Sequence, residues 1–292
     1  MKNLRGSKKF YKWEGSSKIK LQMRNSSLFL CFCASMEIAI CLPAYAPMKA
    51  GPAHQSEQLS QLLSGEPVRL LENAGDWSLI ETEHRYQGYV RSAHLKRVSA
   101  KFPEKFMGFV DSGCLSENSI FDGFPAFQWR EENSRTLAVN VAGEIQYGKS
   151  ISELAMRFLG VPYVWGGKTP AGLDCSGLVQ LVFNLAGYSF PRDAWQQAEA
   201  GIEISFDASD PMLEPGDLLF FSHPGKRIHH VGISLGATEF VHASEWVRVQ
   251  SLSAGHPHFA PDRLETLSLV KRPDFSSLTE MKTAVKNLFS GY

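Results

Sequence analysis

The sequence predicts an α+β protein in which a small all-β barrel precedes a domain of mixed helices and strands. Short apolar runs recur about every ten residues between 37 and 98, with glycine- and proline-rich turns between them, as is typical of a barrel. Further along, a helical apolar pattern that begins at Cys175 is followed by several strand-like runs. With 292 residues, 43% of them hydrophobic, the chain is long enough for two or three small cores.

Residues 1–36 are predicted to be either a leader or the result of a start site assigned too far upstream. Basic residues precede a short apolar stretch, and Ala44-Tyr45-Ala46 has the small residues of a cleavage site, as in secretory signals. Cutting there would remove the first strand of the barrel, and Met23 and Met36 are alternative starts. The apolar stretch is too short and too interrupted for a membrane span.

The cysteine content bears on the compartment. The five cysteines form no disulfide framework; they are Cys31, Cys33, Cys41, Cys114 and Cys175. This odd set favours a reducing compartment, so we expect a cytoplasmic protein, with export as the alternative if the leader is a genuine signal. The formal net charge of zero gives no electrostatic basis for binding nucleic acid or an anionic membrane surface. We expect a monomer.

The predicted barrel occupies residues 37–98. Its segments are an extended entry at Ile38–Lys49, strands at Pro67–Leu71 and Trp77–Ile80, and a last strand at Gly88–Val90 with a turn at Ala93–Leu95. Gly-Glu-Pro and Gly-Asp turns separate these runs, because such residues favour tight reversals of the chain.

Residues 99–148 and 274–292 are predicted to flank a domain at 149–273. The first segment has many aromatic residues, glycine and proline punctuation and an alternating run at Thr136–Val141, which predicts a reduced second barrel or a structured linker. The second has apolar residues at helical spacing over Leu278–Phe289, which predicts a short accessory helix.

Cys175 lies at the predicted first turn of a helix. Apolar residues follow it at helical spacing, and Gly187 ends the pattern; they are Leu178, Val179, Val182, Phe183 and Ala186. The positive end of a helix dipole favours a thiolate, so this position predicts a nucleophilic cysteine, whereas a structural cysteine is expected further inside a helix.

Two histidines follow Cys175 on predicted neighbouring strands. A cysteine nucleophile needs an imidazole to take its proton and a polar group to fix the tautomer of that imidazole. We therefore assign Cys175 as nucleophile, His230 as base and His242 as the orienting group. Zinc is the rival interpretation of these histidines, but no Cys-x-x-Cys or His-x-x-x-His pair stands near them, so we predict no metal.

Six short motifs occur in order along this half of the chain. They are Val161-Pro-Tyr-Val-Trp-Gly-Gly167, Asp174-Cys-Ser-Gly-Leu178, Pro191-Arg-Asp-Ala194, Pro215-Gly-Asp217, His230-Val-Gly-Ile233 and Val241-His-Ala-Ser244. Together they resemble the successive motifs of the NlpC/P60 family of papain-like cysteine peptidases. The preceding barrel resembles the bacterial SH3-like (SH3b) domains that accompany this family. The resemblance implies a papain-like catalytic domain after a small all-β barrel.

The resemblance also assigns roles to individual residues. Tyr163 is expected to help stabilise the oxyanion, with backbone donors at Cys175. Substrate contacts are expected from Tyr86, Trp165, Asp174, Ser176 and Asp193. In relatives with this pairing, the barrel blocks one end of the cleft, so that a peptide with a free amino-terminal L-alanine fits. Several relatives have an acidic residue where this chain has Gly51, so amine recognition is expected to depend on Asp193.

The activity implied by the resemblance is that of a γ-D-glutamyl-L-diamino acid endopeptidase. The expected substrate is a peptidoglycan stem peptide, met during muropeptide recycling or wall remodelling, and no cofactor is expected. Two alternatives from the sequence remain: a catalytically inactive protein that binds the cell wall, and an NlpC-type amidase or acyltransferase.

Overall fold

The computed structural model describes residues 37–98, 106–110, 126–129, 147–207, 213–280 and 283, with the backbone alone at 106–110, 126–129 and 147–150. Residues 1–36 and the alternating run at Thr136–Val141 lie outside the described residues. Within the described part of the chain, no helix has both the length and the apolar character needed to cross a bilayer.

The first sheet has seven antiparallel-paired strands in the order β3-β2-β6-β5-β4-β1-β7. The strands are β1 (Glu37–Cys41), β2 (Tyr45–Lys49), β3 (Gln58–Leu63), β4 (Pro67–Ala74), β5 (Trp77–Glu81), β6 (Gln87–Arg91) and β7 (Leu95–Val98), with a 3-10 turn at Ser92–His94 before the last. The three strands predicted between Pro67 and Val90 are therefore present. The predicted entry segment is two strands, β1 and β2.

The sequence did not predict β3. Its residues, Gln-Leu-Ser-Gln-Leu-Leu, include no β-branched or aromatic side chain, so local propensity is weak. The strand forms because it pairs with β2 and buries Leu62 and Leu63. Alternate residues of β2 do the same, with Ala46 and Met48 inside. A side chain at Gly88 would collide with that of Met48, so β6 carries a glycine where it crosses β2.

The segment that follows contributes one antiparallel pair, β8 (Phe106–Val110) with β9 (Ala126–Trp129). This pair is compatible with both forms predicted for residues 99–148, and the choice between a reduced barrel and a structured linker stays a prediction.

The rest of the chain combines helices with a six-stranded antiparallel sheet in the order β12-β17-β13-β14-β15-β16. The strands are β12 (Ile202–Glu203), β13 (Leu218–Phe221), β14 (His230–Gly236), β15 (Glu239–Ser244), β16 (Trp246–Ser251) and β17 (Leu267–Arg272). The helices are α1 (Tyr147–Met156), α2 (Cys175–Leu185), α3 (Ala194–Gln197) and α4 (Pro261–Thr266), and β10 (Lys168–Thr169) pairs with β11 (Gly172–Leu173) before α2.

Helix α2 packs against the six-stranded sheet and positions Cys175. The Asp174 side chain caps it by accepting a hydrogen bond from the Gly177 amide at 2.6 Å. Its apolar residues from Leu178 to Phe183 are fully buried against the sheet, in one cluster with residues of β13, β14 and β15. The helix ends before Gly187, whose φ of 91° suits a glycine, as the pattern predicted.

The prediction of a helix from Leu278 is wrong at its start. Leu278 lies in a bend, Glu280 pairs with Tyr188 as an isolated bridge, and the Ser189 amide donates to the Thr279 carbonyl at 2.9 Å. The backbone of this segment is held extended because it covers the loop after α2. Thr283 is helical, and the other residues of the predicted helix lie outside the described part.

Candidate active site

Cys175 opens into a cleft of about 770 Å³. It is the first residue of α2 and is 7% exposed, so its thiol is covered by protein on most sides. The backbone amides of Ser176 and Val231 form hydrogen bonds with the sulfur that lower the pKa of the thiol. Because Val231 directly follows His230, and both His230 and Cys175 line the cleft, the imidazole and the thiol share one site.

The two predicted histidines contact one another. Nε2 of His230 lies 2.7 Å from Nδ1 of His242, and their rings are nearly perpendicular at 82°. The adjacent strands β14 and β15 place them there, and both side chains are buried. The contact uses Nε2 of His230, which leaves its Nδ1 for the thiol side.

The resting protonation state differs from the one that the sequence predicted. Burial, and next to it the Asp174 carboxylate, raise the pKa of the Cys175 thiol to about 12. Burial and the nearby His242 and Arg263 lower the pKa of His230 well below its usual value. These two shifts favour a neutral thiol beside a neutral imidazole, whereas the sequence predicted a thiolate. Burial and the Asp174 charge outweigh the backbone amides of Val231 and Ser176, which lower the pKa of the thiol.

Asp174 and Ser176 are joined by an arginine that the predicted set omitted. Arg192 donates to both Asp174 carboxylate oxygens, from Nη1 at 3.0 Å and from Nη2 at 2.6 Å, and Nη1 also donates to Ser176 Oγ at 2.9 Å. Its Nε donates to Ser60 Oγ of the barrel at 3.0 Å. The Gly166 amide donates to the same carboxylate at 2.9 Å, so Asp174 ties the loop, the helix and the arginine together. The signal in the sequence was its position directly before Asp193.

Tyr86 and Asp193 meet across the two parts of the chain. The Tyr86 hydroxyl donates to Asp193 Oδ1 at 3.2 Å, and the Trp195 indole donates to Oδ2 at 3.2 Å. Burial and then the Asp193 charge raise the pKa of Tyr86, so its phenol keeps its proton. Both residues line the cleft, and the barrel therefore forms one of its walls.

Tyr163 and Trp165 also line the cleft. Burial raises the pKa of Tyr163, so its hydroxyl is a donor at neutral pH. Trp165 is 62% exposed at the rim, where its indole donates to Glu57 Oε1 at 2.9 Å. Glu57 is a barrel residue in the cleft that no sequence pattern indicated.

Gly166 has a φ of 72° and passes so close to the Gln58 carbonyl that a larger residue would clash.

A buried ion pair fixes the barrel against the cleft. Lys168 Nζ lies 3.0 and 3.1 Å from the two carboxylate oxygens of Glu66, and both side chains are almost fully buried. The Lys168 amide also donates to Gln61 Oε1 at 2.8 Å. These contacts hold Tyr86 and Glu57 in their places beside the catalytic residues.

All nine predicted site residues lie on this cleft or directly behind it. Eight of them line the cleft, and His242 contacts His230 from behind. Arg263, Arg227 and Glu57 also line the cleft and were not predicted. Among the described residues, no group of three histidine, cysteine or acidic side chains is arranged to hold a metal ion.

A cysteine at a helix start, beside a sheet with two hydrogen-bonded histidines, is the arrangement of papain-like cysteine peptidases. Residues 160–264 match the NlpC/P60 family, and residues 49–95 match the bacterial dipeptidyl-peptidase Sh3 domain. The chain therefore carries an NlpC/P60 domain preceded by a bacterial SH3 domain, and the predicted fold class is confirmed.

Two curated relatives are bacterial. The chain is 28% identical to dipeptidyl-peptidase 6 of Lysinibacillus sphaericus over 274 residues, which cover 80% of this chain and 98% of that protein. It is 42% identical to gamma-D-glutamyl-L-lysine dipeptidyl-peptidase of Bacillus subtilis (strain 168) over 108 residues, which cover 36% of this chain and 35% of that protein. Among solved structures, the NlpC/p60 domain of the peptidoglycan hydrolase SagA is 32% identical, with a TM-score of 0.35, over 43% of this chain and 97% of that one.

Proposed function

We propose that this protein is a cysteine peptidase that hydrolyses the bond between γ-D-glutamate and a diamino acid in peptidoglycan stem peptides. The observation that carries the proposal is the cleft that Cys175 and His230 line together with Tyr86 of the barrel. The similarity to a γ-D-glutamyl-L-lysine dipeptidyl-peptidase supports this bond, and the similarity to dipeptidyl-peptidase 6 supports release of a dipeptide.

The reaction starts from the neutral thiol–imidazole pair. As the Cys175 sulfur attacks the γ-carbonyl carbon, Nδ1 of His230 takes the thiol proton, and the carbonyl electrons move to oxygen. The Cys175 amide and the Tyr163 hydroxyl donate to that oxyanion. When the carbon–nitrogen bond breaks, the imidazolium gives its proton to the leaving amine, which leaves a thioester. A water that loses its proton to His230 then hydrolyses the thioester and frees the thiol.

His242 has the role of setting the tautomer of His230. For Nδ1 of His230 to accept a proton, its Nε2 must carry hydrogen and donate to Nδ1 of His242. Burial, together with the charges of Arg263 and Arg248, lowers the pKa of His242 to about 3, so this ring is neutral and can accept. A neutral third group orients the base without adding a negative charge to the site.

The barrel end of the cleft is proposed to bind the free amino group of an L-alanine. Asp193 supplies a carboxylate there, oriented by Tyr86 and Trp195. Glu57 adds a second carboxylate in the same cleft and offsets the absence of an acidic residue at Gly51. A chain that continues beyond the alanine would collide with this wall, so the dipeptide L-Ala-γ-D-Glu is the expected product.

The first experiment incubates the protein with the free tripeptide L-Ala-γ-D-Glu-diaminopimelate and identifies the products by mass spectrometry. We expect the dipeptide and free diamino acid from the wild type and none from Cys175→Ala. Cys41→Ala is the matched control, because Cys41 is a second free, buried cysteine that lies in the barrel.

Turnover by Cys175→Ala would exclude the mechanism, as would an inactive wild type, which would favour a wall-binding role. Products that carry an acyl group on a second amine would indicate transfer in place of hydrolysis. Acetylating the amino group of the substrate is expected to abolish cleavage, and unchanged cleavage would exclude the specificity for a free amine.

We further propose that the protein acts in the cytoplasm as a monomer on recycled peptides. The free thiols at Cys41 and Cys175 support a reducing compartment. Fractionation of cells, with amino-terminal sequencing of the mature chain, tests this, and recovery of a shortened chain outside the cytoplasm would contradict it. Mass measurement by light scattering tests the oligomeric state.

A further inference from the structure

One guanidinium in the catalytic cleft has no substrate contact in the scheme above. Arg263 belongs to α4 and lines the cleft together with Cys175 and His230. Its side chain is 16% exposed, and its guanidinium carbon lies 5.7 Å from the centre of the Phe221 ring. It is therefore a largely covered cation beside the reacting groups.

In the described part of the chain, the one acidic side chain paired with this cation is exposed and makes no hydrogen bond to it. Nη2 of Arg263 donates to Ser244 Oγ at 3.2 Å, which is a neutral acceptor. Its Nε is buried and lacks a hydrogen bond, and the exposed Asp262 carboxylate stands 3.6 Å from it. Arg192 of the same cleft, in contrast, makes two hydrogen bonds to one carboxylate. Because a covered charge is costly unless it is paired, Arg263 is suited to receive an anion from the substrate.

The position of Arg263 relative to the histidines identifies which part of the substrate it meets. The imidazole of His230 must lie beside the leaving nitrogen in order to protonate it. The charge of Arg263 lowers the pKa of both His230 and His242. Its hydrogen-bond partner Ser244 lies two residues after His242 on β15. The amine end of the substrate belongs to Asp193 and Tyr86. Arg263 therefore faces the residue that departs.

We propose that Arg263 binds a carboxylate of the diamino acid released as the leaving group. The inference rests on the proposed function and extends it to the other side of the scissile bond. Two carboxylates fit this chemistry: the α-carboxylate, which lysine and diaminopimelate share, and the distal carboxylate, which diaminopimelate has and lysine lacks. A planar guanidinium suits either, because it can donate two parallel hydrogen bonds to one carboxylate.

The experiment measures kcat/KM for three tripeptides that begin with L-Ala-γ-D-Glu and end in meso-diaminopimelate, L-lysine or L-lysine amide. The variants are Arg263→Gln, Arg263→Lys and Arg248→Gln. Arg248 is the matched control, because its charge also lowers the pKa of His242 but its side chain does not line the cleft. Thermal unfolding of each variant verifies that it is folded.

We expect the wild type to lose about 10- to 100-fold in kcat/KM when the carboxylate that Arg263 binds is missing, as for other hydrogen bonds to charged groups. A loss from lysine to lysine amide identifies the α-carboxylate, and a loss from diaminopimelate to lysine identifies the distal one. Arg263→Gln is expected to remove this discrimination, Arg263→Lys to keep part of it and Arg248→Gln to keep all of it.

Equal loss on all three substrates in Arg263→Gln would overturn the inference, because a merely structural or electrostatic role would act on each substrate alike. A wild type that cleaves all three equally would overturn it as well and would leave the proposed function intact. A wild type that cleaves none of them at the γ-glutamyl bond would instead refute the proposed function.

Discussion

His230 and His242 are joined through Nε2 and Nδ1 at 2.7 Å, on adjacent strands of one antiparallel sheet. The sheet thus fixes a dyad in which a neutral imidazole orients the base. Because both rings are buried, neither can turn to a solvent-satisfied orientation without breaking the contact. The protonation of the pair and its orientation follow from the same burial.

The first prediction concerns the tautomer. Replacing His242 with alanine removes the acceptor for Nε2 of His230, so the base is free to adopt the wrong tautomer. We expect kcat to fall by about 10²- to 10⁴-fold, as when a positioned base is lost. Replacement with asparagine preserves an acceptor oxygen and should retain more activity than alanine. Equal kcat for the two variants on the tripeptide would contradict the orienting role.

The second prediction concerns the resting thiol. With the pKa of Cys175 raised to about 12, the thiolate should form only at strongly alkaline pH. The thiolate absorbs in the ultraviolet, and its signal is the difference between wild type and Cys175→Ala. This signal should appear only at pH values well above 8.5, the ordinary pKa of cysteine. Titration of that signal below neutral pH would show a preformed ion pair and would refute the neutral resting state.

The pH profile supplies the third prediction. The reaction needs neutral His230, and burial lowers the pKa of this group well below 6.5. The acidic limb of kcat/KM should therefore lie below pH 6.5, since activity appears as pH rises through the pKa of the free enzyme's base. Arg263 contributes to that lowering, so Arg263→Gln should move the limb to higher pH. A limb that stays in place in this variant would contradict the assigned cause.

Local motifs were sufficient to predict the centre of the site. Cys175 with its cap Asp174 forms one helix start, and the histidine motifs each lie in one strand, so short sequence patterns specify their geometry. The predicted strands of the barrel between Pro67 and Val90 carry turn signals at their ends. For these elements local propensity and tertiary structure agree.

Residues that act across sequence distance were not predictable in this way. Glu57 lines the cleft because the loop that carries Trp165 packs on the barrel. Arg263 lines it because α4, which lies between β16 and β17 in the chain, brings it there. The thiol pKa was predicted in the wrong direction, because the helix start was visible in the sequence and the burial of Cys175 was not. The bend at Leu278 has the same origin, since the loop after α2 sets its backbone.

The fourth prediction concerns the amine end of the cleft. Asp193→Asn removes a charge that faces the proposed substrate ammonium, so we expect KM for the free tripeptide to rise by about 10- to 100-fold. Tyr86→Phe removes one hydrogen bond to that carboxylate, at 3.2 Å, and should have a smaller effect in the same direction. The acetylated tripeptide should remain uncleaved by both variants, as by the wild type. A loss of kcat alone in Asp193→Asn would indicate a structural role.

The fifth prediction concerns the joint between the barrel and the catalytic domain. Lys168→Met leaves the Glu66 carboxylate buried without its cation, and burial already raises the pKa of Glu66. Removing one partner of such a pair costs about 3 to 5 kcal/mol of unfolding free energy. The double variant Lys168→Met with Glu66→Leu replaces both charges by apolar groups and should regain most of that loss. The exposed ion pair between Arg91 and Asp76 is the control. Arg91→Gln is expected to change the free energy of unfolding by less than about 1 kcal/mol. Urea unfolding of the three variants measures these differences, and a double variant less stable than Lys168→Met would show that the ion pair is not what joins the two parts.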